Sequence, residues 1–87
     1  MKIEKQAQAG TMQSSDLMVF VEPANELKIE IESTVKKQFG HLISAKVDEV
    51  VAALGVTAGF IRVSDRGALD YAIEARVKTA LQRASAA

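Results

Sequence analysis

Leu27-Lys28-Ile29-Glu30-Ile31-Glu32 alternates apolar and charged side chains with a period of two. Successive side chains of a strand point to opposite faces, so this stretch predicts a strand with one dry and one wet face. Upstream, Leu17-Met18-Val19-Phe20-Val21 is an unbroken apolar run between Asp16 and Pro23, the pattern of a strand buried on both faces. Glu22 to Glu26 reads as a turn around the sole proline, so the two strands are expected to form an antiparallel hairpin.

Downstream the period changes. Ile43, Val47, Val50, Val51 and Leu54 recur at helical spacing, and Gly55 supplies a stop. Between Ser33 and Gly40 two readings coexist: Val35 continues the strand pattern, while Val35, Phe39, Leu42 and Ile43 also fit a helix. Gly59-Phe60-Ile61-Arg62-Val63 is β-branched and aromatic, a third strand, and Ser64-Asp65 gives a cap signal after it. A second helix is expected from about Ala68 to Arg83, with Leu69, Ile73, Val77, Ala80 and Leu81 on one face and Arg76, Lys78, Gln82 and Arg83 outside. The result is a small α+β domain of β-β-α-β-α order, both helices packed on one face of a mainly antiparallel sheet.

Residues 1–15 are rich in Gln, Ala, Ser and Thr with Gly10 among them, so they are expected to leave the core alone and to form an irregular or edge segment. The 87 residues fit one domain, 1–87. Its expected radius of gyration of about 12 Å leaves little room for an enclosed catalytic pocket. Eleven basic residues balance eleven acidic ones, which argues against nucleic acid and anionic membrane as partners. Cysteine is absent and His41 is the one histidine, which removes disulfides, thiolate sites and cysteine nucleophiles and makes a metal cluster a poor fit. Met1 to Gln6 is polar, without the apolar run of a signal peptide, and no stretch is long and apolar enough to span a bilayer. A cytoplasmic protein is expected.

No phosphate-cradling glycine loop and no Gly-x-Ser-x-Gly elbow is present, and His41, just after Gly40, reads as a helix-start or surface residue. Ser14-Ser15-Asp16, taken by itself, is a loop that hydrogen-bonds its own backbone before a strand. In its wider context it says more. Ala9-Gly10-Thr11-Met12-Gln13-Ser14-Ser15-Asp16-Leu17 resembles the N-terminal signature of citrate lyase acyl carrier (gamma) subunits. Asp65-Arg66-Gly67-Ala68-Leu69-Asp70, Ala75-Arg76-Val77 and Arg83-Ala84 are similar to the C-terminal half of that family, and Val35-Lys36-Lys37-Gln38-Phe39-Gly40 agrees between them.

The resemblance implies a non-catalytic carrier. Its serine matching Ser14 bears a phosphoribosyl-dephospho-coenzyme A arm, 2'-(5''-phosphoribosyl)-3'-dephospho-CoA, through a phosphodiester. The thiol of that arm carries acetyl and then citryl groups. An alpha subunit exchanges acetyl for citrate, a beta subunit cleaves the citryl thioester, and a prosthetic-group transferase installs the arm. Ser15 offers a second hydroxyl beside Ser14. Gly67 and Ala68 are expected to present amides that steady a phosphate of the arm, or else Asp65 caps the helix and Gly67 packs closely. Arg66 and Arg76 read as contacts to a partner or phosphate, or as solvated helix charges. Lack of cysteine suits a carrier, since a second thiol nearby could take the acyl group by exchange. Carriers of citramalate lyase or malonate decarboxylase use the same arm, and an unmodified interaction module presenting Phe20 and Met18 is the reading from another class.

Overall fold

Four strands and two helices follow one another as β1 (Ala7–Gly10), β2 (Leu17–Glu22), β3 (Leu27–Ser33), α1 (Lys36–Ala53), β4 (Gly59–Asp65) and α2 (Asp70–Ala84). The computed structural model describes residues 1–34 and 36–85, the side chains of 36–39 excepted. The expected order thus gains one short strand at its front, where residues 7–10 form a sheet edge. Ser33 closes β3 and Lys36 opens α1; Val35 and the Phe39 side chain, on which the two readings of 33–40 turned, lie outside the described residues.

The sheet order is β1-β2-β4-β3, with β1 and β4 antiparallel to β2 and β3 parallel to β4. The expected β2–β3 hairpin is therefore corrected: β4 lies between them, pairing Val63 with Val19 on one side and with Ile31 on the other. An α1 of 18 residues is about 27 Å long, enough to carry the chain from the end of β3 back to the start of β4, and such a crossover lays the second strand parallel to the first. The 23–26 linker crosses the end of the inserted strand, where Glu26 C=O accepts the Gly59 N–H at 3.1 Å. Period-two patterning fixes which face of a strand is dry and leaves its neighbours open. The charged outer row Lys28, Glu30, Glu32 suits the edge position that β3 occupies.

Leu17, Val19 and Val21 of β2 and Ile61 and Val63 of β4 are buried against Ile43, Val47, Val50 and Val51 of α1 and Ile73, Val77, Ala80 and Leu81 of α2. Both helices cover this one face. The reading of β2 as buried on both sides does not hold: Met18 is half-buried and Phe20 is 41 % exposed on the open face, because no layer covers it. Gly55, at φ 69°, ends α1 as expected, with Val56 N–H bonded to Val51 C=O at 3.1 Å and Gly55 N–H to Ala52 C=O at 3.0 Å, the double closure of a Schellman motif. Residues 1–15 also contribute more than expected. Ile3 and Ala9 are buried in the core, and Glu4 and Lys5 N–H groups bond Ala84 C=O at the end of α2.

Replacing Ile61, fully buried in the central strand, is expected to cost about 3 kcal/mol as Ile61→Ala. Phe20→Ala on the open face should cost under about 1 kcal/mol. Urea unfolding of the two variants checks the assignment of faces; equal losses would contradict it.

Candidate functional site

Ser14 occupies the apex of the connection between β1 and β2. The chain leaves β1 through Gly10, whose φ of 99° is in the left-handed region and whose missing Cβ makes room for the Leu17 carbonyl. Thr11 N–H then bonds Leu17 C=O at 3.1 Å, and Asp16 N–H bonds Gln13 C=O at 3.2 Å. The second bond closes a β-turn with Ser14 and Ser15 at its central positions. Ser15 has φ 66° while Ser14 does not share that conformation, the mark of a type II turn. Met12, Gln13, Ser14 and Ser15 are all exposed.

Beneath the turn lies the carboxylate of Asp16, which the sequence places at the strand boundary, in a loop expected to hydrogen-bond its own backbone. Asp16 accepts the Thr11 hydroxyl at 2.6 Å and its neighbour Leu17 N–H at 2.8 Å. Arg76, from the second turn of α2, reaches it with Nε at 3.2 Å and Nη2 at 3.0 Å. Thr11 Oγ1 also accepts the Gln13 N–H at 3.3 Å, so both sides of the loop are tied to one point. The Thr11 hydrogen bond, then Leu17 N–H and Arg76, outweigh the desolvation that opposes them and hold the Asp16 carboxyl below its ordinary 3.8. The Asp16 side chain is 16 % exposed and that of Arg76 is 42 % exposed, so Arg76 is a half-shielded clamp rather than the solvated charge that helical spacing suggested.

Arg66 joins the same end of the sheet. Its N–H donates to Asp16 C=O and its C=O accepts the Ser15 N–H, both at 2.8 Å, so the serine turn is stitched to the loop after β4. Its guanidinium holds Glu32 at 2.7 Å, and this hydrogen bond and the charge beside it lower the Glu32 carboxyl from its ordinary 4.5. The expectation of free amides at Gly67 and Ala68 is corrected: Asp65 Oδ2 accepts the first at 3.1 Å and Oδ1 the second at 3.0 Å. Asp65 is itself buried, bonded by Ser33 Oγ at 2.7 Å, and folds this loop instead of capping α2, whose N-cap is Leu69. Close packing does not explain Gly67, since a Cβ there would meet nothing within 4 Å; its φ of 92° does. Ser14, Ser15, Arg66 and Gly67, separated in sequence, thus share one end of the molecule. His41 is exposed on α1, and among the described residues no group of three His, Asp or Glu side chains could hold a metal ion. No helix among them is long and apolar enough to cross a membrane.

Ser14 is thus an exposed serine on a pinned turn. The family model described as "Malonate decarboxylase delta subunit (MdcD)" matches residues 4–84. The citrate lyase acyl carrier protein of Halothermothrix orenii is 51 % identical over 98 % of this chain and 92 % of its own length. That of Haemophilus influenzae strain PittEE is 56 % identical, over 98 % and 90 %. The chain belongs to the citrate lyase acyl carrier protein family. Members are acyl carriers, so this is a non-catalytic carrier subunit. The fold is shared more widely: a chain of a Pseudomonas malonate decarboxylase hetero-tetramer, crystallised in complex with malonate, superposes with a TM-score of 0.84 at 20 % identity, over 95 % of this chain and 87 % of that one.

Two measurements test the turn in this acyl carrier. Gly10→Ala drives a methyl group into the Leu17 carbonyl and should cost about 2 kcal/mol or more, whereas Ser15→Gly should stay within about 0.5 kcal/mol, relief of its positive φ being offset by a freer unfolded chain. Thermal unfolding of both checks this. A lowered carboxyl pKa contributes stability that is complete above the unfolded value and lost as pH falls through the folded one. The amide resonances of Ser15 and Leu17 should therefore shift in a titration below about pH 3.8, with a midpoint under that value, and Asp16→Asn should abolish the step.

Proposed function

We propose that this chain is the acyl carrier subunit of citrate lyase and that Ser14 bears a phosphoribosyl-dephospho-coenzyme A arm through a phosphodiester. The observation that carries the reading is the Ser14 turn: the hydroxyl is exposed at the apex, while Asp16, Thr11, Arg76 and Arg66 fix the backbone under it. The residues fit the group. Exposed neighbours at Met12, Gln13 and Ser15 leave space for a nucleotide, and the hydroxyl itself is the only chemistry the linkage asks of the chain.

In this reading the arm supplies a thiol that carries acetyl and then citryl groups. Alpha and beta subunits act on it in turn, the one exchanging acetyl for citrate and the other releasing oxaloacetate. The chain's own part is to hold the root of the arm still. A tether replaces encounters in solution by near-intramolecular ones, with effective concentrations of about millimolar for short flexible links. A rigid turn at the root keeps that concentration aimed at the partner subunits. The cytoplasm suits such a complex.

A second reading has its own support. The matching family model carries the name of a malonate decarboxylase subunit, and the superposed fold comes from a malonate decarboxylase. Identity of 51–56 % to citrate lyase carriers against 20 % to that chain favours the lyase. Assembled complex supplied with citrate, citramalate and malonate in separate assays discriminates the three, and cleavage of malonate alone would overturn the lyase reading. The attachment itself is tested by intact mass of chain made with its modifying enzymes. The arm should add to wild type and to Ser15→Ala and be missing from Ser14→Ala; loading of Ser14→Ala would move the site.

A further inference from the structure

Both helices cover one face of the sheet, and the open face carries a distinct set of side chains. Strand register sets Gln8, Phe20, Arg62 and Glu30 in one row across β1, β2, β4 and β3. In the next row Glu22 stands beside Phe60, which is therefore diagonal to Phe20. Phe20, Phe60, Arg62, Gln6, Gln8 and Glu22 together line one groove of about 490 Å³, within the range of small-molecule sites. Phe20 is 41 % exposed and Phe60 is half-buried. Three of the four arginines are held, Arg66 by Glu32, Arg76 by Asp16 and Arg83 by the Gln8 carbonyl. Among the described residues the exposed Arg62 has no hydrogen-bonding or ion-pair partner. Its acidic neighbours are engaged elsewhere, Glu30 with Lys28 at 3.7 Å and Glu32 with Arg66 at 2.7 Å.

We propose that this groove binds an adenine nucleotide, its base stacked on Phe20 and Phe60 and its phosphate on Arg62. Each part of such a ligand has a counterpart. Aromatic side chains on the open face of a sheet are stacking platforms for bases. A guanidinium fork matches phosphate oxygens, and the donors of Arg62 are not spent on a protein carboxylate. Gln8 lies directly opposite Phe20, at the edge of a base stacked on that ring, and a glutamine amide pairs with N6 and N7 of adenine. Glu22 would favour the donor edge of guanine, but its Oε2 already accepts Gln6 Nε2 at 3.2 Å. Balanced charge, which disfavours a polyanion, is no obstacle to one phosphate met by one arginine. The nucleotide has two sources. It is free in solution or, resting on the carrier reading above, it is the adenosine portion of an arm rooted at Ser14, which precedes Phe20 by six residues, a span of at most about 20 Å.

Full-length chain without the arm is titrated with AMP while backbone amide resonances are followed. Those of Gln8, Phe20, Phe60 and Arg62 should shift together and saturate, with a Kd of about a millimolar or below. Phe20→Ala and Arg62→Gln, both at exposed positions on the open face, should each raise that Kd about fivefold or more, whereas Tyr71→Ala, at an exposed aromatic on α2, leaves it unchanged. No saturation by about 10 mM AMP overturns the inference. So does an unchanged Kd in both groove variants, or an equal response to inorganic phosphate alone, which would leave a simple anion site. GMP or CMP binding as tightly as AMP overturns the assignment of adenine. The same titration on chain that carries the arm separates the sources: groove resonances already shifted and indifferent to AMP give the site to the arm, and a retained response gives it to free nucleotide. A chain that never accepts an arm sinks the carrier reading, while AMP binding to the bare chain still decides the groove.

Discussion

One carboxylate organises the end of this molecule that matters. Asp16 stands where β2 begins, and its two oxygens gather a threonine hydroxyl, a backbone amide and a guanidinium from a helix distant in sequence. A short hairpin loop without these bonds would be an exposed run of small polar residues, free to sample many conformations. With them, the loop has one shape and Ser14 has one place. Charge-assisted bonds to a largely shielded carboxylate are stronger than exposed ion pairs, so this anchor outranks the Lys28–Glu30 contact, whose side chains are 69 % and 50 % exposed.

A second aspartate does parallel work from the neighbouring strand. Asp65 ends β4 as Asp16 precedes β2, and the strand register brings Asp65 opposite Leu17, the residue after Asp16. Each carboxylate folds its own loop through backbone amides, and Arg66 then stitches the loops together with one donated and one accepted backbone bond. The serine turn therefore inherits the rigidity of the two central strands. This explains why Gly67 is needed with empty space around it: the Asp65-centred loop asks for a positive φ, and not for a small side chain.

The sequence made one layer of this legible and hid the next. Period and spacing located β2, β3, β4 and both helices, because burial of one face writes itself into the order of apolar residues. Neighbour relations are not written there. The β3-α1-β4 crossover, which inserts β4 between β2 and β3, depends on packing the helix against the sheet, and the same alternating pattern serves a hairpin or a parallel edge equally well. Likewise Leu17–Val21 has the composition of a strand covered twice, yet two helices suffice for only one face of four strands. Ile3 was invisible for another reason, since a lone isoleucine in a polar segment has no periodic partners. Of the site, Ser14 was legible through the family signature alone. Its supports were not, because Asp16 and Arg76 are 60 residues apart and only the fold brings them within 3.2 Å.

The division between a pinned root and an uncommitted surface fits what a carrier has to do. In the proposed reading, an arm rooted at Ser14 serves several active sites only if the chain favours none of them, so catalytic groups around Ser14 would be a liability, whereas exact placement of the root would raise the local concentration of the thiol at each partner alike. Ser15 illustrates the balance. A serine in the left-handed region is strained where glycine would not be, and it persists because its N–H is held by Arg66 and its neighbours are over-determined by Asp16. Strain at the second turn position leaves the first, Ser14, in ordinary geometry at the apex. In the carrier reading proposed above, the Ser14 hydroxyl stands clear of the bonds that hold its turn in place, and attaching a bulky nucleotide there need not break any of them.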